Sequence, residues 1–241
     1  MERLQTKVIL VTGGAQGLGK AISTTLAQAG ATVIVGDIQA EKGKQVVDEI
    51  ENNNGRAYFF HLDLCDVANV QNTLNAIREQ FGRLDALINN AGIDFTKSIL
   101  ELTVSEWDAA MGVNLRGPFL TSKFALPIMA ANGSGHIINI ISTASLRAWS
   151  EASIYHASKW GLRGFTQALF TEARRFNIKV TGFIAGGMKT PFLLDRFPDL
   201  DQTKLQDPQN VADKIKHILL DDTDTVVPEI MVLPLQETSW P

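Results

Sequence analysis

A length of 241 residues suits a single domain, and 45% hydrophobic and 20% charged residues are ordinary for a soluble protein with a sizeable core. A net charge of -4 and the lack of any long lysine/arginine run argue against nucleic acid as a partner. The lone Cys65 rules out an internal disulfide and favours a reducing compartment, and the apolar run at 8–11 is too short for a signal peptide or a membrane span. These features predict a cytoplasmic protein that binds neither nucleic acid nor membrane.

Short β-rich runs alternate with amphipathic helical patterns along the chain. In chain order, the pattern predicts strand Lys7–Val11, helix Leu18–Ala29, strand Thr32–Val35, helix Glu41–Ile50, strand Ala57–Leu62, helix Val67–Phe81, strand Leu84–Ile88, helix Ser105–Ala131 (interrupted near 114–118), strand His136–Ile141, helix Ile154–Phe176, strand Lys179–Ile184, helix Val211–Leu220 and strand Thr225–Leu233. Near-continuous β-branched strands alternating with helices indicate a parallel sheet that is covered on both faces. With right-handed crossovers, this predicts a single-domain doubly wound Rossmann fold over 1–241, with about seven strands.

The longest irregular stretch of the sequence is Gly186–Pro208, which is rich in proline, aspartate and glycine. A loop of this length in a compact domain is more often a lid or a binding loop than a passive connection. We therefore predict that residues 186–208 form the substrate-binding loop.

A glycine-rich turn follows the first predicted strand and opens the first predicted helix. Gly13 permits a tight turn, Gly17 lets the backbone approach a diphosphate, and Gly19 allows close packing of helix against strand. The amides at the start of that helix favour negative charge. The pattern indicates a dinucleotide site, although the same turn in isolation is also explained by packing alone.

Asp37 ends the second predicted strand, where a carboxylate can accept hydrogen bonds from the adenosine ribose. It would repel the 2′-phosphate of NADP by roughly 4 kcal/mol at about 4 Å and an effective dielectric of about 20. Neither Gln16 nor Ile38 supplies a cation to offset that repulsion. NAD is therefore the predicted cofactor; the alternative role for Asp37 is to cap the next helix.

Two further segments end strands at the same predicted edge of the sheet. Asp63-Leu64 follows the third strand and Asn90-Ala91-Gly92 follows the fourth, where the adenine and its ribose would lie. Turn formation explains each segment equally well, so the residues alone leave both roles open.

Tyr155 and Lys159 lie one helical turn apart and share a helix face, and Ser142 ends the fifth predicted strand. An ammonium about 4 Å from the phenol would lower the pKa of Tyr155 by about 3 units, towards the range useful for general acid–base catalysis. Ser142 would polarise and orient a substrate oxygen. This set predicts hydride transfer between a secondary alcohol and a ketone, with Tyr155 as the general acid/base.

These motifs resemble the short-chain dehydrogenase/reductase family over nearly the whole chain. The matching residues are Thr12, Gly13, Gly17, Gly19, Asn89-Asn90-Ala91-Gly92, Asn114, Ser142, Tyr155 and Lys159. The resemblance implies that Asn114 supports the catalytic set by holding a water that relays protons from Lys159, and that Lys159 also binds the nicotinamide ribose. It further implies a homodimer or homotetramer formed through the helices at Ser105–Ala131 and Ile154–Phe176.

Together, the turn, the strand ends and the resemblance define one predicted NAD site. Its residues are Gly13, Gln16, Gly17, Leu18, Gly19, Asp37, Asp63, Leu64, Asn90, Ala91, Gly92, Tyr155, Lys159, Gly186, Met188 and Thr190. The chain departs from the family where Ala185-Gly186 replaces the usual Pro-Gly, and where Gln236–Pro241 replaces a glycine-rich tail.

Other classes fit the sequence less well. Gly133-Ser134-Gly135-His136 lacks the spacing of a hydrolase nucleophile elbow, and the four histidines show no metal-ligand spacing, so no metal is predicted. The alternatives that stay open are a non-catalytic NAD-binding sensor or scaffold and an NADPH-dependent 3-oxoacyl-carrier-protein reductase. In the latter, Arg174-Arg175 would meet an acidic carrier protein.

The predicted substrate is a medium-sized carbonyl or alcohol, with an acid group as one option. The pocket walls are predicted to come from segments that mix apolar residues with cations, namely Asp94–Lys97, Ala144–Trp149 and Met188–Arg196.

Overall fold

Seven strands form one parallel sheet in a computed structural model that describes residues 4–237. The strands are β1 (Val8–Thr12), β2 (Thr32–Asp37), β3 (Arg56–His61), β4 (Ala86–Asn89), β5 (Gly135–Ser142), β6 (Ile178–Ala185) and β7 (Glu229–Val232). Their order across the sheet is β3-β2-β1-β4-β5-β6-β7, and every neighbouring pair is parallel. The predicted doubly wound α/β fold is confirmed.

Helices cover both faces of the sheet. They are α1 (Gly17–Gln28), α2 (Ala40–Asn52), α3 (Val67–Phe81), α4 (Val104–Met111), α5 (Gly117–Ala131), α6 (Ser153–Ala173), α7 (Pro191–Leu194) and α8 (Pro208–Leu220). Side chains of a strand alternate between faces, so Ile9 and Val11 join the core under α1, α2 and α8. Val8 and Leu10 join the core under α3, α5 and α6. One strand thus contributes to both cores.

The structure corrects three predicted elements. The last strand begins at Glu229 rather than Thr225, because the preceding residues form a loop in which the carbonyl groups of Val227 and Pro228 accept bonds from Thr181 and Gly182 of β6. The helix predicted to be interrupted near 114–118 runs on as α4, a π-helical turn at Gly112–Arg116 and α5. The predicted 186–208 loop contains the short helix α7.

The strand order reverses between β1 and β4, which opens a crevice at the carboxyl ends of these strands. Thr12, Asp37, Asn89 and Ser142 all end their strands at this edge. Ligands of open α/β sheets bind in such a crevice, so the fold brings the predicted site residues to one place. Within 4–237, none of the helices has the length and apolar character needed to cross a bilayer.

Candidate active site

The turn between β1 and α1 is built so that its backbone is accessible. Gly13 and Gly17 have φ of +63° and +53°, a region that side chains disfavour. A Cβ added at Gly19 would lie 1.9 Å from the Gly13 carbonyl oxygen, so only glycine fits there. Gln16 precedes α1 without making a side-chain cap, and the first turn of α1 holds no acidic residue. The first amides of α1 are therefore available to an anion, and the turn fits the diphosphate of a dinucleotide.

Asn90 joins this turn to the end of β4. Its Nδ2 donates to the carbonyl oxygens of Thr12, at 2.9 Å, and Gly13, at 3.1 Å. The backbone amides of Asn90 and Ala91 both donate to Thr12 Oγ1 at 3.1 Å. The Asn90 side chain thus fixes the shape of the glycine turn, in addition to the ligand contact or local turn that the sequence leaves open for residues 90–92.

Asp37 faces the same turn from the end of β2 and is buried. Its Oδ2 accepts from the amide of Ala15 at 3.0 Å, and its Oδ1 accepts from the amide of Gln39 at 2.9 Å. The carboxylate therefore stands beside the dinucleotide turn, where the sequence predicted it. Lys42 was overlooked in the sequence: its Nζ lies 2.9 Å from Gln16 Oε1, so α2 places a cation at the edge of this region.

The segment after β3 is closed as a turn. Asp63 Oδ1 accepts from the amide of Cys65 at 2.8 Å, and the Asp63 amide donates to Asn69 Oδ1 at 2.7 Å. Leu64 is buried, and its side chain lies under Gly117 at the start of α5. The turn role that the sequence left open is thus present, and cofactor contacts for Asp63 and Leu64 stay a prediction.

Tyr155, Lys159 and Ser142 come together at the carboxyl end of β5. Ser142 lies close enough to the Tyr155 hydroxyl to lower its pKa as a hydrogen-bond donor, and Ser142 Oγ accepts from the amide of Ala144 at 3.2 Å. Lys159 Nζ lies 5.7 Å from the centre of the Tyr155 ring and donates to the Ile140 carbonyl at 2.8 Å. The three predicted catalytic side chains therefore share one site.

The pKa values of Tyr155 and Lys159 differ from those expected from the sequence. Burial raises the pKa of Tyr155 to about 12, and Asp94 adds to that effect, while the bond from Ser142 and the charge of Arg196 oppose it. Burial alone lowers the pKa of Lys159 to about 8. The prediction that the ammonium lowers the pKa of the phenol is wrong for this arrangement, because desolvation disfavours both charged forms.

Asn114 lies in the π-helical turn between α4 and α5 and is fully buried. Its Oδ1 accepts from the amide of Ile93 at 2.8 Å, and its Nδ2 donates to the Ile93 carbonyl at 2.8 Å and to Ser158 Oγ at 3.0 Å. A Cβ added at Gly92 would lie 3.5 Å from Asn114 Oδ1 and 3.8 Å from Lys159 Nζ. Gly92 thus keeps open a small space where the two side chains converge.

The loop after β6 is folded back on itself. The amide of Lys189 donates to the Gln206 carbonyl and that of Gln206 donates to the Gly187 carbonyl, with Met188 bridged to Gln206. Beyond this bridge, Thr190 is buried and lies against the glycine turn: a Cβ added at Gly17 would be 3.3 Å from the Thr190 Cβ. The loop therefore touches the dinucleotide turn.

The base of this loop is also held by the segment after β7. Glu237 Oε2 accepts from the Gly187 amide at 3.2 Å. A Cβ added at Gly186 would lie 2.6 Å from the same oxygen. Gly186 thus makes room for the end of the described chain; the remainder of the divergent tail, 238–241, lies outside the described residues.

His156 follows Tyr155 in the chain, but its side chain contacts the 144–149 segment instead. It is buried, its Nε2 accepts from the Trp149 amide at 3.1 Å, and its Nδ1 is 2.8 Å from the Ala144 carbonyl. The Trp149 and His156 rings also meet edge to face, with centroids 4.2 Å apart. His156 therefore holds the predicted pocket wall 144–149, a role that sequence spacing could not reveal.

Comparison with known proteins now adds to this geometry. Residues 7–201 match the family model described as short chain dehydrogenase. The chain is a short-chain dehydrogenase/reductase. As an enzyme of this family it is an oxidoreductase that acts on CH–OH groups with a nicotinamide dinucleotide as the other redox partner.

Three similar proteins illustrate the range of this family. A cyclopentanol dehydrogenase from Comamonas sp. is 38% identical over 191 residues, which cover 79% of this short-chain dehydrogenase/reductase and 76% of the relative. A 3-oxoacyl-[acyl-carrier-protein] reductase from Thermotoga maritima is 31% identical over 238 residues, covering 95% and 96%. A metagenomic short-chain oxidoreductase solved in complex with NADP has a TM-score of 0.83 at 29% identity, covering 96% and 98%.

Proposed function

We propose that this enzyme interconverts a secondary alcohol and a ketone with NAD(H). The observation that carries the proposal is the convergence of Tyr155, Ser142 and Lys159 at the end of β5, next to a turn that fits a dinucleotide. The bound nicotinamide supplies or accepts the hydride. The cyclopentanol dehydrogenase relative supports a secondary alcohol as the substrate class.

Tyr155 is the group that we place on the substrate oxygen. With a pKa of about 12, it is protonated near neutral pH and is ready to donate its proton during ketone reduction. In the oxidative direction it must first lose that proton, so oxidation is favoured at alkaline pH. Ser142 lies beside the phenol, and we assign it the task of orienting the same substrate oxygen.

Lys159 and Asn114 complete the proposed proton path. The pKa of Lys159, about 8, makes it the member of the set that changes charge closest to neutrality. Asn114 Oδ1 converges with Lys159 Nζ over Gly92, and this space suits a water that carries protons away. We also assign Lys159 to the nicotinamide ribose and Thr190, which lies beside the glycine turn, to the nicotinamide.

Asp37 supports NAD over NADP in this proposal. A buried carboxylate that no cation of residues 4–237 contacts directly repels a 2′-phosphate and accepts bonds from ribose hydroxyls. The runner-up is an NADPH-dependent 3-oxoacyl-carrier-protein reductase. It is favoured by the Thermotoga maritima relative, by Lys42 near the turn, and by Arg174 and Arg175, which are exposed at the end of α6.

We further propose that residues 1–241 act as one domain, with 186–208 as the substrate-binding loop, in a cytoplasmic homodimer or homotetramer. The exposed side chains of Phe119 on α5 and Trp160 on α6 support pairing through these helices. Light scattering on the purified chain distinguishes monomer, dimer and tetramer.

The deciding experiment follows nicotinamide absorbance against a mixed panel of ketones and secondary alcohols, with NAD(H) and NADP(H) in parallel. Turnover with NAD(H) supports the proposal. Turnover with NADP(H) alone keeps the chemistry and overturns the choice of cofactor. Tight NADH binding without turnover across the panel favours a sensor instead.

A further inference from the structure

Asp94 and Arg196 meet across the mouth of the proposed site. Asp94 follows the Gly92 turn, and Arg196 belongs to the 186–208 loop, 102 residues further along the chain. Arg196 Nη1 donates to Asp94 Oδ2, and the side chain of Asp94 is only 7% exposed. The pair therefore joins the loop to the edge of the sheet beside the catalytic residues.

Only one of the two carboxylate oxygens of Asp94 takes part in this ion pair. Among the described residues, Asp94 Oδ1 is buried and has no hydrogen-bond partner. A buried charged oxygen without a donor is costly, and such atoms in native structures call for an explanation such as a ligand or a catalytic role. Asp94 Oδ1 is thus able to accept a hydrogen bond from a bound ligand.

The pair lies next to the catalytic tyrosine. The guanidinium carbon of Arg196 lies 4.2 Å from the centre of the Phe192 ring, and that ring lies 5.7 Å from the centre of the Tyr155 ring. Burial is the main reason that the pKa of Tyr155 is raised, but the charges of Asp94 and Arg196 also act on it in opposite directions. Both groups are therefore within electrostatic reach of the oxygen that handles the substrate proton.

Arg196 limits which kind of substrate group can donate a hydrogen bond to Asp94 Oδ1. An ammonium on the substrate would meet the guanidinium that already pairs with Asp94, and a carboxylate on the substrate would meet the Asp94 charge. Arg196 is also engaged by Phe192 and by Phe197, whose ring centre lies 5.6 Å away. A neutral hydroxyl group satisfies an acceptor within an ion pair without introducing a charge.

We propose that Asp94 Oδ1 accepts a hydrogen bond from a second hydroxyl group of the substrate, adjacent to the reacting carbon. The preferred substrates are then vicinal diols and the corresponding hydroxyketones rather than simple alcohols and ketones. This inference rests on the proposed function, and it replaces the acid group considered from the sequence with a neutral polar one.

The test compares substrates that differ by one hydroxyl. With NAD, kcat/KM is measured for cyclopentanol against cyclopentane-1,2-diol and for butan-2-ol against butane-2,3-diol, so that ring size does not decide the result. We expect the diol to be favoured at least about tenfold, since a hydrogen bond to a charged group supplies a factor of that order or more. A ratio near one in both pairs overturns the inference.

Substitutions at Asp94 test whether this residue causes the preference for diols. Asp94→Leu should bring the diol-to-alcohol ratio close to one, whereas Asp195→Asn, which removes an exposed carboxylate one residue from Arg196, should leave the ratio unchanged. Because the readout is a ratio, a general loss of activity cancels. NADH binding by fluorescence checks that the variant is folded, and Asp94→Leu combined with Arg196→Leu avoids an unpaired guanidinium.

The outcomes separate this inference from the proposed function. Turnover of the simple alcohols with no diol preference, or a diol preference that survives in both Asp94 variants, removes the role of Asp94 and leaves the dehydrogenase activity standing. No turnover of any alcohol or ketone removes the proposed function and this inference with it.

Discussion

The glycine turn and the loops on the substrate side of Tyr155 lie at the same edge of the sheet but are held in different ways. Around the turn, the contacts involve backbone atoms: Asn90 donates to the Thr12 and Gly13 carbonyls, and Asp37 accepts from the Ala15 amide. On the proposed substrate side, backbone bonds are joined by a pair of side chains distant in sequence, Arg196 and Asp94. A contact of this kind changes only when both partners change, whereas the shape of the turn depends on backbone geometry.

The largest expected effect separates chemistry from cofactor binding. Tyr155→Phe removes the phenolic proton but keeps the ring that packs against Phe192, so kcat should fall by about a hundredfold to ten-thousandfold. The dissociation constant for NADH, measured by fluorescence titration, should stay within about threefold because the turn is untouched. A full rate in this variant would remove Tyr155 from the mechanism.

A substitution in the glycine turn should instead weaken NADH binding. An alanine at Gly19 would put its Cβ 1.9 Å from the Gly13 carbonyl oxygen, so the turn must move, and NADH affinity should fall by about tenfold to a hundredfold. Gly164→Ala is the matched control, since that glycine of α6 has open space around it and a helical alanine is favourable. Isothermal calorimetry on both variants decides; equal affinities would contradict the fit of the turn to a dinucleotide.

Lys159 is assigned both to the cofactor and to catalysis. Its burial predicts that the free energy of unfolding depends on pH. Its pKa is lowered from 10.5 to about 8 in the folded state, so between those values the unfolded chain binds more protons and stability rises with pH. Below pH 8 the buried ammonium costs about 3 kcal/mol, which Lys159→Met escapes.

Urea unfolding of the wild type and of Lys159→Met from pH 7 to pH 10 measures this effect. The stability of the variant relative to the wild type should decrease by up to about 3 kcal/mol as the pH rises. Tyr155 is present in both proteins, so its own ionisation cancels in the comparison. A constant difference would mean that Lys159 is charged throughout.

The smallest expected effect lies within the cofactor side. Asp37→Asn keeps the shape of the side chain but removes the charge, so the preference for NADH over NADPH in kcat/KM should shrink by roughly tenfold. Lys42→Gln should shift the preference the opposite way, because it removes the cation next to Gln16. No change in either variant would mean that the ribose is read elsewhere.

These contrasts also explain what the sequence could predict. The glycine turn, Asp37 and the Tyr155/Lys159 pair were predictable because each depends on local spacing or on the end of one strand. The Asp94–Arg196 pair and the hold of His156 on Trp149 depend on how loops fold against one another, which spacing does not encode. The raised pKa of Tyr155 was missed because the degree of burial is a property of the assembled fold.

The π-helical turn at Gly112–Arg116 makes the length of this segment as important as its composition. A π turn holds one residue more than an α-helical turn, and such single-turn insertions occur frequently at functional sites. Deleting Val113 would restore a regular helix and rotate everything on one side of it by about 100° relative to the other. Asn114 and the buried face of α5 could then no longer both occupy their present positions. Homologous chains should therefore conserve the number of residues in this segment even where the residue types differ.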